Sequence, residues 1–253
     1  RIYSTYGNSD EINRYCYFDH VVRANSKDSK GSRIPIQAGA ELIGNSDIKN
    51  DVEIVNLMLD VVKIFSDKKI YLDLGHVGIL KKLINSVNLK KEDEKNIKEL
   101  VKSKSSSEIK KYMNTLDVDN KLKNCICDFP KMHGTTKNIL KDSNNIISFD
   151  PAIEEDIKYM IDLCNLINKN HSDVEIKYDF CELPGFDYEN GILMSVYIEN
   201  DSNEVAIGGK YNFDEGSPSG IGFSVDVRYL IKNQNKSSIS FKSGKWILED
   251  NYE

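Results

Sequence analysis

The chain has 253 residues, with 34 basic and 40 acidic side chains and a formal net charge of −6 at pH 7. A hydrophobic fraction of 40 % and a charged fraction of 29 % are typical of a soluble globular protein, and the acidic balance argues against a broad nucleic-acid-binding surface. The apolar runs are too short for a membrane helix, and five scattered cysteines favour reduced thiols in a cytoplasmic protein over a disulfide framework.

The N-terminal half predicts a long hairpin, a helix and then a block of short helices. Runs of β-branched and aromatic residues predict strands at 14–23, 34–44 and 69–75. Between the second and third strands, apolar residues at helical spacing predict a helix that begins at Ser46 or Asp47 and ends near Phe65. We interpret the lysine-rich amphipathic pattern over about 77–147 as a helical insertion.

The C-terminal half predicts one further helix and then mostly strands. Proline at the first turn is typical of a helix start, which predicts a helix beginning at Asp150 and Pro151. Further strands are predicted at 175–183, 191–200, 204–209 and 217–231, the last leading into a helix, with a final hairpin at 238–249. Antiparallel strand pairs separated by a helical block indicate an α+β fold, which we treat as a single domain over residues 1–253.

Several familiar catalytic and cofactor motifs are absent from the sequence. There is no phosphate-binding GxxxxGK[ST], no GxGxxG after a strand and no nucleophile elbow. The pair Cys125 and Cys127 lacks a second pair at metal-binding spacing, and the four histidines are isolated. We therefore expect neither a metal site nor a cofactor.

One constellation of polar residues surrounds the first predicted hairpin. Arg23 and Arg33 flank its loop, and Gln37 and Glu41 lie on one face of the returning strand, on either side of Gly39. An amide and a carboxylate so placed can hold an amino group above the glycine, and the arginines can meet a carboxylate or a phosphate. The alternative is a solvated sheet face with charge pairs.

Four segments together resemble a known family. Residues 14–44 (RYCYFDHVVR…GSRIPIQAGAELIG) resemble motif 2 of class II aminoacyl-tRNA synthetases in its histidyl-tRNA synthetase version. Residues 184–197 are similar to the histidine-specific motif of that family, 206–212 to its Gly-Gly-Arg-Tyr-Asp segment, and 220–230 to motif 3. The resemblance implies a class II synthetase-like antiparallel sheet flanked by helices.

The resemblance also implies a histidine pocket. In the family, the residue at Arg23 contacts the α-phosphate of ATP and the carboxylate side of the ligand. The residues at Gln37 and Glu41 hold histidine, and Tyr211 matches the pocket tyrosine. The predicted pocket set is Arg23, Arg33, Gln37, Glu41, Asp187, Tyr188 and Tyr211. Asp187 has the alternative role of capping a turn.

Departures from the synthetase pattern indicate that adenylate chemistry has been lost. Pro184 replaces a catalytic arginine, and Glu189 replaces the second tyrosine of the histidine-specific motif. At motif 3, Asp226 stands where the family has glycine, and Arg228 is displaced from the ATP-clamping position. Because charge develops on phosphate oxygens during adenylate formation, losing these cations predicts that the chain has no catalytic residues of its own.

The wording of two further segments resembles the ATP phosphoribosyltransferase regulatory subunits, which are paralogues of histidyl-tRNA synthetases. These are LDLGHVGIL at 72–80 and QAGAELIG at 37–44, the latter followed by DVEIV. The resemblance implies a non-catalytic subunit in the first step of histidine biosynthesis. Such a subunit assembles with the short catalytic subunit into a hetero-octamer, permits its activity and conveys feedback inhibition by histidine. From the same resemblance we expect no membrane association and no tRNA partner.

Two alternatives remain open at this point. A fragment of a divergent histidyl-tRNA synthetase is one, and a stand-alone amino-acid sensor is the other. The family's N-terminal part with motif 1 is absent before Arg1, so we expect the natural chain to extend further, and we expect no anticodon-binding domain after motif 3. His76, in the strand-to-helix turn after Gly75, is either a contact with a partner or ligand or a turn histidine bonded to backbone.

Overall fold

A computed structural model describes residues 11–22, 34–44, 47–87, 89–182, 189–212, 219–232, 239–242 and 245–248. The strands are β1 (Asn13–His20), β2 (Ile36–Gly44), β3 (Ile70–His76), β4 (His133–Thr135), β5 (Glu175–Asp179), β6 (Glu189–Ile198), β7 (Ala206–Asn212), β8 (Ser219–Asp226), β9 (Ile239–Lys242) and β10 (Lys245–Leu248). The helices are α1 (Ile48–Phe65), α2 (Val77–Asn85), α3 (Lys91–Lys102), α4 (Ser106–Thr115), α5 (Asn120–Asp128), α6 (Ile139–Asp142), α7 (Asn144–Phe149), α8 (Ala152–Asn170) and α9 (Val227–Lys232). Short 3₁₀ turns cover Phe129–Lys131 and Thr136–Asn138.

Within the residues that the structure describes, eight strands form one sheet in the order β1-β2-β8-β7-β6-β3-β5-β4. Neighbouring strands run antiparallel except β3 and β5, which are parallel. A parallel pair requires a crossover connection, and the helices from α2 to α8 provide it. The α+β fold is confirmed, and the parallel pairing of β3 with β5 is a detail that the sequence pattern did not predict. The last two strands pair with each other as the expected hairpin.

Helices cover one face of the sheet, which we call the helix face. Side chains alternate along each strand, and the members facing the helices are apolar and buried: Ala40, Leu42, Leu72, Leu74, Met194, Val196, Phe223 and Val225. Helix α1 packs on β2 and β8 and also against α8, while α2 packs on β6. The buried residues of the inserted helices α3 to α5 belong to the same hydrophobic cluster as the sheet.

The first helix illustrates how the sequence specifies the scaffold. The Asp47 side chain accepts a hydrogen bond from the Lys49 backbone N–H at 3.0 Å and so caps the N-terminus of α1. Val55, Met58 and Val62 recur at helical spacing and are fully buried against the sheet. In the described part of the chain, no helix combines the length and apolar character needed to cross a bilayer.

The opposite face of the sheet carries the polar residues, and we call it the open face. Alternation places Gln37, Gly39 and Glu41 of β2 on this face, because Ala38 and Ala40 between them face the helices. The register carries the same face across the sheet, pairing Glu41 with Gly222 of β8. The open face therefore holds Gln37 and Glu41, two of the side chains predicted for the pocket.

Candidate functional site

A hydrogen-bonded pair forms the centre of the site on the open face. The Tyr211 hydroxyl donates to Glu41 Oε2 at 2.6 Å, joining β7 to β2 across the intervening strand β8. Glycines on β8 make this approach possible. A Cβ at Gly222 would overlap the Glu41 carboxylate, and a Cβ at Gly220 would lie 2.6 Å from the Tyr211 ring. The two glycines thus form the floor on which the carboxylate and the phenol meet.

The Glu41 carboxylate is largely removed from water. Burial raises its pKa above the usual glutamate value, and the hydrogen bond from Tyr211 opposes that shift. A dehydrated carboxylate gains strongly from a cationic partner, because the attraction is less screened than in water. The site is therefore suited electrostatically to an ammonium or another small cation.

Gln37 lies four residues before Glu41 on the same face of β2 and is 8 % exposed. Its register partners are Asp19 of β1 and Asp226 of β8, so an amide is placed among carboxyl-bearing positions. The expected room above Gly39, however, is not present. A Cβ at Gly39 would lie 2.5 Å from the Tyr17 ring, because this ring of the neighbouring strand occupies the space that the glycine leaves. The expectation that a ligand sits directly over Gly39 is wrong.

A buried ion pair lies behind the site, on the helix face. Lys210 Nζ is 2.7 Å from Asp51 Oδ2, and the side chains of these residues are 15 % and 1 % exposed. The Tyr159 hydroxyl also donates to the Asp51 carboxylate, and the Lys210 ammonium lies 5.5 Å from the centre of the Tyr159 ring. Because Lys210 precedes Tyr211 on β7, this cluster anchors the strand that presents the pocket tyrosine. Sequence reasoning missed it; the only available signal was the strand alternation.

The arginines in the described part of the chain lie away from the Glu41–Tyr211 pair. Arg14 forms an ion pair with Glu53 of α1 at 2.6 Å, and Arg228 is exposed on α9. Asp226, at the motif 3 position, accepts a hydrogen bond from the Tyr229 backbone N–H at 3.1 Å. This carboxylate therefore caps the start of α9.

Comparison with known proteins decides the family. A family model described as histidyl-tRNA synthetase matches residues 1–230. The chain belongs to the histidyl-tRNA synthetase family. Class II synthetase-like architecture, predicted from the motifs, is confirmed by solved structures of this family that share the fold.

Individual members of the family are similar at low sequence identity. The ATP phosphoribosyltransferase regulatory subunit of Teredinibacter turnerae is 29 % identical over 229 residues, which is 88 % of this chain and 58 % of that protein. The structure of an ATP phosphoribosyltransferase regulatory subunit/histidyl-tRNA synthetase from Bacillus halodurans matches with a TM-score of 0.75 at 19 % identity, over 88 % of this chain and 59 % of that one. An ATP phosphoribosyl transferase (HisG:HisZ) complex from Thermotoga maritima matches with a TM-score of 0.68 at 17 % identity, over 86 % of this chain and 74 % of that one. The chain thus spans little more than half the length of the curated relative.

The structure describes only some of the residues predicted for the pocket. Arg23, Arg33, Asp187 and Tyr188 lie outside the described residues, as does Pro184, so their predicted roles stay predictions. The structure brings together Gln37, Glu41 and Tyr211 on one face of the sheet. In the described part of the chain, no group of three or more His, Cys, Asp or Glu side chains is arranged to hold a metal ion.

His76 is a core side chain on the helix face. It is 7 % exposed, and its Nδ1 lies 4.0 Å from Asp156 Oδ2, which in turn lies 2.7 Å from Lys82 Nζ. Burial lowers the pKa of His76 to about 4, against the attraction of Asp156. Such burial rules out a surface contact with a partner. Within the described residues its Nδ1 has no hydrogen-bond partner, so the backbone-bonded alternative is not supported for that atom either.

Proposed function

We propose that this protein is a regulatory subunit of ATP phosphoribosyltransferase, acting in the first step of histidine biosynthesis. The observation that carries the proposal is the similarity over 88 % of the chain to a relative of that name. The hydrogen bond between Tyr211 and Glu41, two residues that the family resemblance assigns to a histidine pocket, supports it. Family membership alone does not separate a regulatory subunit from a synthetase, because the family includes both. The residues found at the site support a regulatory subunit.

The chemistry of Glu41, Tyr211 and Gln37 supports an amino acid as the ligand. Glu41 offers a dehydrated carboxylate for an α-amino group, and Tyr211 fixes the orientation of that carboxylate. Gln37 adds a buried amide on the same strand face. By family resemblance the amino acid is histidine, which would make this site the sensor for feedback inhibition.

The loss of cations supports a role without catalysis. Adenylate formation needs positive charge against the phosphates of ATP. Pro184 cannot supply it, and Asp226 places a negative charge at the motif 3 position, where it caps α9. Arg228 is exposed on the short helix α9. A chain that binds histidine but cannot activate it fits a sensor better than an enzyme.

The partner in this proposal is the short catalytic subunit of ATP phosphoribosyltransferase. The Thermotoga maritima neighbour is a complex of that enzyme, which supports an assembly of the same kind. We propose a hetero-octamer in the cytoplasm, in which this chain permits catalysis and conveys histidine inhibition. No tRNA is needed for this role.

Two measurements on the full chain test the proposal. Size-exclusion chromatography with light scattering of the chain mixed with a short catalytic subunit should show a stable complex. Histidine-dependent exchange of pyrophosphate into ATP by the chain alone should be absent. Failure to form a complex together with measurable exchange would instead identify a divergent histidyl-tRNA synthetase. Histidine binding without either would indicate a stand-alone sensor.

A further inference from the structure

Tyr15 is a pocket neighbour that the family motifs do not assign. It lies on β1 and is the register partner of Glu41. Residues paired across antiparallel strands share a face, so Tyr15 projects on the open face with the pocket carboxylate. The adjacent Arg14 confirms the alternation, because its ion pair with Glu53 of α1 places it on the helix face.

Among the described residues, the Tyr15 hydroxyl is buried without a hydrogen-bond partner. The residue as a whole is partly exposed, but its oxygen is inaccessible and has no hydrogen-bond partner within the described residues. Buried hydroxyls in folded proteins nearly always have a hydrogen-bond partner, because burial removes their hydrogen bonds to water and an unpaired hydroxyl gains none in return. In a binding pocket, an unpartnered buried donor is the pattern expected of a group reserved for the ligand.

The surroundings of Tyr15 indicate which part of a ligand it would meet. Glu41 is already bonded to Tyr211 and is suited to a cationic amine. Tyr17, two residues along β1, lays its ring over Gly39 and closes the space on that side. A phenol beside these groups can donate to a lone pair, which an amino acid carries on its carboxylate or, in histidine, on a ring nitrogen.

We propose that Tyr15 is a further ligand-binding residue of this pocket, donating its hydroxyl hydrogen to an acceptor on the amino acid that Glu41 and Gln37 hold. This rests on the proposed amino-acid pocket. Tyr15 thereby sets specificity, because a site built to hydrogen-bond an acceptor rejects ligands that lack it. It is a binding residue, and no chemical step is assigned to it.

The test is Tyr15→Phe, which removes one oxygen and keeps the ring. Titration calorimetry of the full chain with L-histidine should give a Kd raised about tenfold or more, the loss expected when a hydrogen bond to a ligand is removed. The thermal unfolding midpoint of the free protein should stay the same or rise, since the variant removes an unpartnered buried group. Tyr71→Phe is the matched control. Tyr71 lies on the same face, on β3, five strand positions away, and its variant should leave the Kd unchanged.

Histamine, which lacks the carboxylate, identifies the acceptor. An equal loss with histidine and histamine supports a ring-nitrogen contact, and a loss confined to histidine supports a carboxylate contact. An unchanged Kd for Tyr15→Phe, with wild type binding histidine, overturns the assignment of Tyr15 and leaves the pocket intact. A parallel fall in affinity and in unfolding midpoint also overturns it, because that result indicates a structural role. Failure of the wild-type chain to bind histidine overturns the proposed pocket and the Tyr15 assignment together.

Discussion

Replacing Glu41 by glutamine tests two effects of this carboxylate separately: its effect on the stability of the fold and its effect on the affinity for a ligand. The substitution keeps an oxygen that can accept from the Tyr211 hydroxyl, 2.6 Å away, and it removes the charge. Hydrogen bonds to charged groups are worth about 1.5–3 kcal/mol, so histidine affinity should fall about 10- to 150-fold. Isothermal titration calorimetry of the full chain measures this directly. Gln37→Ala should weaken binding by about 1–3 kcal/mol through loss of a buried amide.

Stability should move differently from affinity in the Glu41→Gln variant. Burial raises the pKa of Glu41, so the ionised form is less favourable in the folded chain than in the unfolded one. The stabilising effect of this group is present at low pH and is lost as the pH rises through its folded pKa. At pH 7.5 the variant should therefore unfold at the same or a higher urea concentration than wild type. Glu53→Gln, which changes an exposed carboxylate on helix α1, is the control and should leave the Kd for histidine unchanged. Unchanged histidine affinity in Glu41→Gln would refute the assignment of the ammonium to this carboxylate.

Three further predictions concern the support around the site. Lys210→Met leaves Asp51 buried without its cation, and urea unfolding should show a loss of about 3–5 kcal/mol; a loss near zero would contradict the anchoring of β7. His76 is buried in its neutral form, because burial lowers its pKa to about 4. Its contribution to stability is fully present above pH 6.5 and decreases as the pH falls towards 4. Between pH 7.5 and pH 5, the free energy of unfolding of the wild type should fall by about 2 kcal/mol more than that of His76→Asn. His133 is exposed, and the control variant His133→Asn should behave like the wild type. Gly222→Ala should displace the pocket carboxylate and weaken histidine binding while the chain still unfolds cooperatively, and unchanged affinity would show that the carboxylate does not need this floor.

Local patterns predicted the scaffold well. The cap at Asp47 and the apolar spacing after it gave α1 with nearly correct bounds, because both are short-range effects. Strand alternation placed Gln37 and Glu41 on one face, because side-chain direction follows directly from the period of a strand. The pairing of Tyr211 with this face came from the family motifs rather than from periodicity.

Contacts between distant parts of the chain could not be predicted. The Tyr17 ring over Gly39 depends on the hairpin register, which the composition of its loop does not specify. The Lys210–Asp51 pair joins residues 159 positions apart, and nothing in the sequence near either one marks the other. The parallel pairing of β3 and β5 depends on where the inserted helices return the chain to the sheet.

The most direct test of the account is the rate of phosphoribosyl transfer to ATP by a short catalytic subunit, measured with and without this protein and across histidine concentrations. We expect the full chain to raise the rate and histidine then to lower it, with the inhibition shifted to higher histidine concentrations by Glu41→Gln. A rate that the chain leaves unchanged at every histidine concentration would contradict the account.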